Sequence, residues 1–166
     1  IYSIEDNMFN FWYRFVMNNN SIIVRGAADL VYKKIEEQLS DYMGRVFEDI
    51  CAQYLWKQLL AGKSPIEFIS LGRWWGNDSK NKCQAEIDIM GEQDSKTALF
   101  AECKWRNENV DLDILETLVD RSMLFHYTKV HYYLFSKTGF TIGCIKKAAE
   151  MGNVTLISYK DIICAI

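Results

Sequence analysis

The sequence predicts an α/β domain in which helices cover both faces of a mixed central sheet. Three observations carry this. Apolar spacing is helical up to about residue 61 and changes after Pro65 to short β-like runs. In the C-terminal half, helical stretches alternate with single strands, and such an order needs helices on both faces of the sheet. Hydrophobic residues make up 49% of the 166 positions and charged residues 25%, a balance that suits one globular domain with a core of useful size.

The elements follow in order. Ile1 to Asp6 alternates weakly and reads as a short strand. Asn7 to Met17 is helix-compatible and apolar on nearly every side, so it is expected to bury more than one face, either by docking on a neighbouring domain or subunit or by capping this domain's own core. Asn18 to Ser21 is a turn signal. Ala27 to Leu39 reads as a helix, with Ser40 and Asp41 as N-cap candidates for a second one running to about Ala61. Gly62, Ser64 and Pro65 close it. Strands are expected over 66–71, 84–90 and 98–105, the last two joined as a hairpin through a loop at Gly91 to Ser95. A helix over 111–125, a strand over 130–135, a helix over 140–151, a strand over 154–158 and a last helical turn from Asp161 complete the chain. Two segments result: an aromatic leading segment, 1–26, and the main domain, 27–166.

Composition narrows the function classes. No apolar run approaches the ~20 residues of a membrane span, so no membrane partner is expected. The formal net charge of −3 argues against a basic nucleic-acid wrapper. The five cysteines, at 51, 83, 103, 144 and 164, are odd in number and include no C-x-x-C pair, which points to reduced thiols and a cytoplasmic setting. The chain starts at Ile1 without a signal peptide, and it is expected to be a fragment of a longer protein.

The hairpin carries the chemistry. Period-two alternation sets Ala85, Ile87 and Ile89 on one side and Glu86 and Asp88 on the other. An antiparallel register centred near residues 94 and 95 brings Asp88 close to Glu102, with Lys104 beside the same spot. Paired carboxylates repel in a plain sheet and become favourable when they share a hard divalent cation. On the preceding helix, Glu48 projects between Leu55 and Leu59, next to Gly44 and Ala52, within the apolar arc. A carboxylate there needs a proton, a partner or a metal. Taken singly, Glu-Cys-Lys on a strand is usually a solvated charge pair and Glu48 a rim residue; their joint order is much less common.

The set Glu48, Asp88, Glu102-Cys103-Lys104 resembles the PD-(D/E)XK nuclease superfamily. Four pieces in order, Phe11–Val16 (FWYRFV), Gly44–Leu55 (GRVFEDICAQYL), Ala85–Met90 (AEIDIM) and Ala101–Trp105 (AECKW), resemble the C-terminal domain of archaeal and bacterial AAA-type ATPases, a family long without an assigned function. The resemblance implies a restriction-endonuclease-like αβββαβ core that hydrolyses phosphodiesters with Mg²⁺ or Mn²⁺. It implies that Asp88, Glu102 and the Cys103 carbonyl ligate the metal. Lys104 would then orient the attacking water, and Glu48 would serve a second ion or a metal-bound water. It also implies that ATPase and winged-helix domains precede this one, and that ATP acts only through them. The expected partner is nucleic acid, with DNA first.

Arg73, Lys80, Lys82 and Arg106 flank the proposed site as phosphate contacts. Trp74, Trp75 and Trp105 lie among them as stacking candidates, with core packing the plainer alternative. Asp111, Asp113, Glu116 and Asp120 read as a solvated helix face. His126 and His131 are too few for a zinc site, and Gly72 and Gly76 form no phosphate loop. The competing reading is a catalytically inactive relative that serves as a nucleic-acid-binding or protein-docking module regulating the ATPase.

Overall fold

A computed structural model of the chain describes residues 6–78 and 82–164. The strand expected at the N-terminus and Lys80 both lie outside the described residues. The chain divides into two compact units, Ile1–Val46 and Phe47–Ile166. No helix among the described residues is long and apolar enough to cross a membrane.

The first unit is helical. Asp6 caps α1 (Asn7–Phe11) by accepting from the Phe9 amide at 2.9 Å. A π-helical turn (Trp12–Val16), a 3-10 turn (Met17–Asn19) and α2 (Asn20–Ile23) continue it. The turn expected at Asn18 to Ser21 is therefore helical. Its small core is Phe15, Val31, Ile35 and Tyr42, with the Phe15 and Tyr42 rings edge-on at 5.4 Å. The Tyr42 hydroxyl donates to the Asn7 carbonyl at 2.7 Å. Within this unit Phe15 is buried, while Met8, Phe9, Trp12, Tyr13 and Met17 stay exposed.

The break expected at Ser40 is absent. α3 runs from Ala28 to Leu60 without interruption, and the division between the two units falls within it. Ser and Asp inside a helix cost at most about 0.7 kcal/mol each, so a cap signal alone does not stop a helix.

The second unit is the α/β domain. Five strands lie in the order β1 (Ser70–Asp78), β2 (Cys83–Asp94), β3 (Thr97–Lys104), β4 (Lys129–Ser136) and β5 (Val154–Ser158). The first three are antiparallel neighbours, and β3, β4 and β5 run parallel. On one face pack Phe47, Cys51 and Leu55 of α3 with Ile66, Phe68 and Ile162 of α6 (Tyr159–Cys164). On the other pack Leu115 and Leu118 of α4 (Leu112–Ser122) and Cys144 and Ala148 of α5 (Ile142–Met151). Strand side chains alternate between these faces: Leu99, Ala101 and Cys103 go to the first, and Ala98 and Phe100 to the second. The run α3-β1-β2-β3-α4-β4 contains the expected αβββαβ order.

Three boundaries differ from expectation. The first strand begins at Ser70, not Ile66. Ile66 and Phe68 alternate like a strand because they fill the core beneath it, while the Glu67 amide is taken by the Gln93 side chain at 2.9 Å. Gly72, Gly76 and Asn77 look loop-like yet belong to β1; a Cβ on Gly76 would stand 2.4 Å from the Trp74 ring. The expected loop from Gly91 is strand as well. The turn is only Ser95-Lys96, fixed by the Asp94 carboxylate accepting from the Lys96 amide at 2.7 Å.

Gly91 is inside the sheet because a Cβ there would come within 2.7 Å of Leu71 Cδ2 and 3.1 Å of the Ser70 carbonyl oxygen. Gly44, by contrast, has open space around it on α3. Gly91→Ala is therefore expected to lower stability by about 1–3 kcal/mol. Gly44→Ala is expected to raise it by about 0.5–1 kcal/mol. Urea unfolding midpoints of the two variants check both signs.

Candidate active site

The site is built on a break in strand register. Gly72 pairs with Met90, but Trp74 pairs with Ile87, so the single residue Arg73 on β1 faces two, Asp88 and Ile89, on β2. This is a β-bulge, and bulges re-aim side chains. The core records the effect. Ile87 packs on the α4 and α5 face, whereas Ile89 packs on the α3 face. The expectation that Ala85, Ile87 and Ile89 share one side, with Glu86 and Asp88 on the other, is overturned at this point. Period two fails because the bulge inserts one residue.

The register between β2 and β3 follows expectation up to the same place. Ile89 pairs with Ala101 and Met90 with Phe100, and one further step in that register sets Asp88 level with Glu102. The two strands have no further paired residues there. Instead, Asp88 Oδ2 accepts the backbone N–H of Cys103 at 2.8 Å. Asp88 is thus held by strand β3 itself, beside Glu102.

Glu102 is 6% exposed on the face of the sheet that α4 covers. Lys104 Nζ lies 2.6 Å from its Oε1. Its Oε2 is buried without a hydrogen bond; Arg121 Nη1 is 3.5 Å away, in ion-pair range only. The same Arg121 nitrogen donates to the Glu86 carbonyl at 2.7 Å. Burial pushes the Glu102 carboxyl above its ordinary range, and the Asp88 charge adds to this, while Lys104 and Arg121 pull against it.

Glu48 has a partner of its own. Its carboxylate forms an ion pair with Arg73, which also reaches Glu86 at 3.4 Å. Glu48 is therefore partnered, and among the described residues no three acidic, histidine or cysteine side chains form a ready cation cage. Cys103 offers only backbone to the site, since its thiol lies in the core with Cys51.

The remaining candidates separate. Lys82, in a left-handed conformation (φ 52°), precedes β2 at the far end of the β1–β2 pair, roughly 16 Å along the strand from Arg73. Arg106 is close enough to Asp111 to help lower the pKa of that acid. Trp74 packs on Phe125 at 5.0 Å, and Trp105 on Phe47 and Tyr159 at 5.1 and 5.3 Å. Trp75, 76% exposed, remains open. His131 is half-buried on Thr155. Asp111 caps α4 by accepting from the Leu112 amide.

Arg121 is the residue of the candidate site that sequence reasoning misses. It lies 35 positions from Glu86, the residue whose carbonyl it binds, and no local spacing relates them. Its only signal in the sequence is a basic residue in the last turn of an otherwise acidic helix.

Because the carboxyl of Glu102 titrates higher in the folded chain than in the unfolded one, its ionisation costs the fold stability. Glu102→Gln should accordingly melt higher than the parent at pH 7. The gap should close as the pH falls below the ordinary value of 4.5, where the parent side chain is neutral in both states. Thermal melts of both proteins between pH 3.5 and 7.5 test this.

Comparison with known proteins adds three likenesses. The family DUF234, described as archaea bacterial proteins of unknown function, matches residues 12–117. An uncharacterized protein of Methanocaldococcus jannaschii is 34% identical over 107 residues, which are 64% of this chain and 23% of that protein. The chain thus spans less than a quarter of the length of that curated relative. A crystal structure of a protein of unknown function, AF1548, is 20% identical with a TM-score of 0.43, covering 67% of this chain and 59% of the other. The span matched by the family takes in Glu48, Arg73, Asp88, Glu102 and Lys104, and the chain belongs to this family of archaea bacterial proteins of unknown function.

Proposed function

We propose that this chain is a nuclease-like domain of the PD-(D/E)XK kind, which hydrolyses phosphodiesters of DNA with Mg²⁺ or Mn²⁺ in the cytoplasm. On this reading the full-length protein carries it beside an AAA-type ATPase and a winged helix. The observation that supports the reading best is the buried, unbonded Oε2 of Glu102 beside Asp88 and Lys104. Two adjacent carboxylates with a spare buried oxygen suit a hard divalent cation. Their mutual repulsion and desolvation leave a cost that a cation would offset.

Asp88 and Glu102 would hold the ion, with the Cys103 carbonyl implied as the third ligand. Mg²⁺ held there would supply Lewis-acid chemistry that activates water and steadies charge on phosphate oxygens. The chain does the rest by positioning. Asp88 cannot swing freely, since one oxygen is fixed on the Cys103 amide. Lys104, anchored on Glu102 Oε1, has further N–H donors to orient a water or stabilise developing negative charge. Arg73, on the rim between Glu48 and Glu86, supplies a phosphate contact, and the exposed Trp75 a surface on which a base can stack. Glu48 acts here as the counter-charge of Arg73.

Incubation of the protein with single- and double-stranded DNA in Mg²⁺ or Mn²⁺ tests the reading. Cleavage is expected, and Asp88→Asn and Lys104→Ala should each reduce it by about 10²-fold or more at a temperature where both variants are still folded. Absence of cleavage in both metals, with DNA binding intact in the two variants, would favour an inactive module instead.

One observation favours that second reading in its docking form. The first unit leaves Met8, Phe9, Trp12, Tyr13 and Met17 exposed, a concentration of large apolar side chains typical of contact surfaces. If it docks on the ATPase of the same protein, Phe9→Ser with Trp12→Ser should weaken that association without lowering cleavage.

A further inference from the structure

Arg121 ties two parts of the site together from outside the sheet. One guanidinium nitrogen donates to the Glu86 carbonyl at 2.7 Å, two residues before the bulged Asp88. The same nitrogen sits 3.5 Å from Glu102 Oε2, the oxygen that has no hydrogen bond. Both side chains are largely removed from water: Glu102 retains 8% and Arg121 28% of side-chain exposure. Two charged groups meet there through that backbone carbonyl: Glu48 and Glu86 around Arg73, and Glu102, with Asp88 beside it, between Lys104 and Arg121. Neither carboxylate of the Asp88–Glu102 pair can lose its neighbour's repulsion by turning to solvent, because one is buried and the other is bound to the Cys103 amide.

We infer that Arg121 is a positioning residue that acts as the built-in counter-cation of Glu102 and competes with a divalent cation for Oε2. The inference rests on the metal reading above. Its physical content is a sign. An arginine that merely stapled α4 to β2 would, when removed, loosen the carboxylates and weaken metal binding. A competing cation, when removed, leaves Oε2 free and takes away a like charge from next to the ion, so binding tightens. The Glu86 carbonyl keeps the guanidinium from leaving altogether, so it stays within a few ångströms of any anion that comes to the site.

Titration of Mn²⁺ into the full chain, followed by the paramagnetic resonance signal of the free ion, measures that sign. The parent protein is expected to bind Mn²⁺, Glu102→Gln to lose most of that affinity, and Arg121→Gln to bind roughly tenfold tighter. Equal binding by the parent and Glu102→Gln, or none by the parent, would overturn the metal reading and this inference with it. Binding by the parent that needs Glu102 but is no tighter in Arg121→Gln would leave the metal reading standing and sink the inference alone. A second measurement needs no destabilised variant. The guanidinium ¹⁵N resonance that Arg121→Lys removes should shift when the parent protein is saturated with Mg²⁺; an unmoved resonance refutes the competition.

Discussion

The hydrogen bond from the Cys103 amide to Asp88 holds the site together, and most other features of the domain bear on it. It forms where β2 and β3 stop pairing, so a side chain takes over a backbone donor that the ladder no longer serves. That exchange is possible only because the bulge opposite Arg73 turns Asp88 away from the position that simple alternation would give it. The bulge in turn is affordable because both faces of the sheet are covered. Ile87 finds a core under α4 and α5, and Ile89 finds one under α3, so the parity change buries an isoleucine either way. In a sheet with one solvated face the same shift would expose one of them.

Covering both faces also sets the electrostatics. Glu102 lies on the α4 face, where burial raises its carboxyl and makes its charge costly. Two cations answer the cost from different elements: Lys104 from the same strand and Arg121 from α4. No single one completes the hydrogen bonding of Oε2. A fold selected for stability alone would replace such a group by an apolar one of similar size. A buried carboxylate with an unbonded oxygen beside Asp88, Lys104 and Arg121 meets the physical criterion for a candidate site.

Much of this was legible in the sequence, and the limits have physical causes. The element order, the mixed sheet and the nearness of Asp88 to Glu102 come from short-range information: apolar periodicity and the position of the turn. The register survives although the turn is Ser95-Lys96 rather than a loop from Gly91, because Gln93 adds one residue at the hairpin end and the centre hardly moves. What misleads is information that local spacing does not hold. Ser40 looks like a cap, but whether a helix stops there depends on what its neighbours pack against. Ile66 and Phe68 alternate as a strand does, yet they fill the core without pairing. The side on which Ile89 lies depends on a bulge set by β1, and the partner of Glu48 lies on that strand too.

Arg121 illustrates the last point most sharply. Its neighbours Glu86 and Glu102 sit on two strands, and α4 reaches them only because its apolar face, Leu115 and Leu118, is drawn onto the sheet by Phe100, Leu134 and Val110. The same burial that fixes the helix therefore delivers the charge. A polar contact is placed here by apolar packing several residues away, so a change in Leu115 or Leu118 is a change in the field at Glu102. Stability and site electrostatics are in this domain one property of the α4–sheet interface, read at two different atoms.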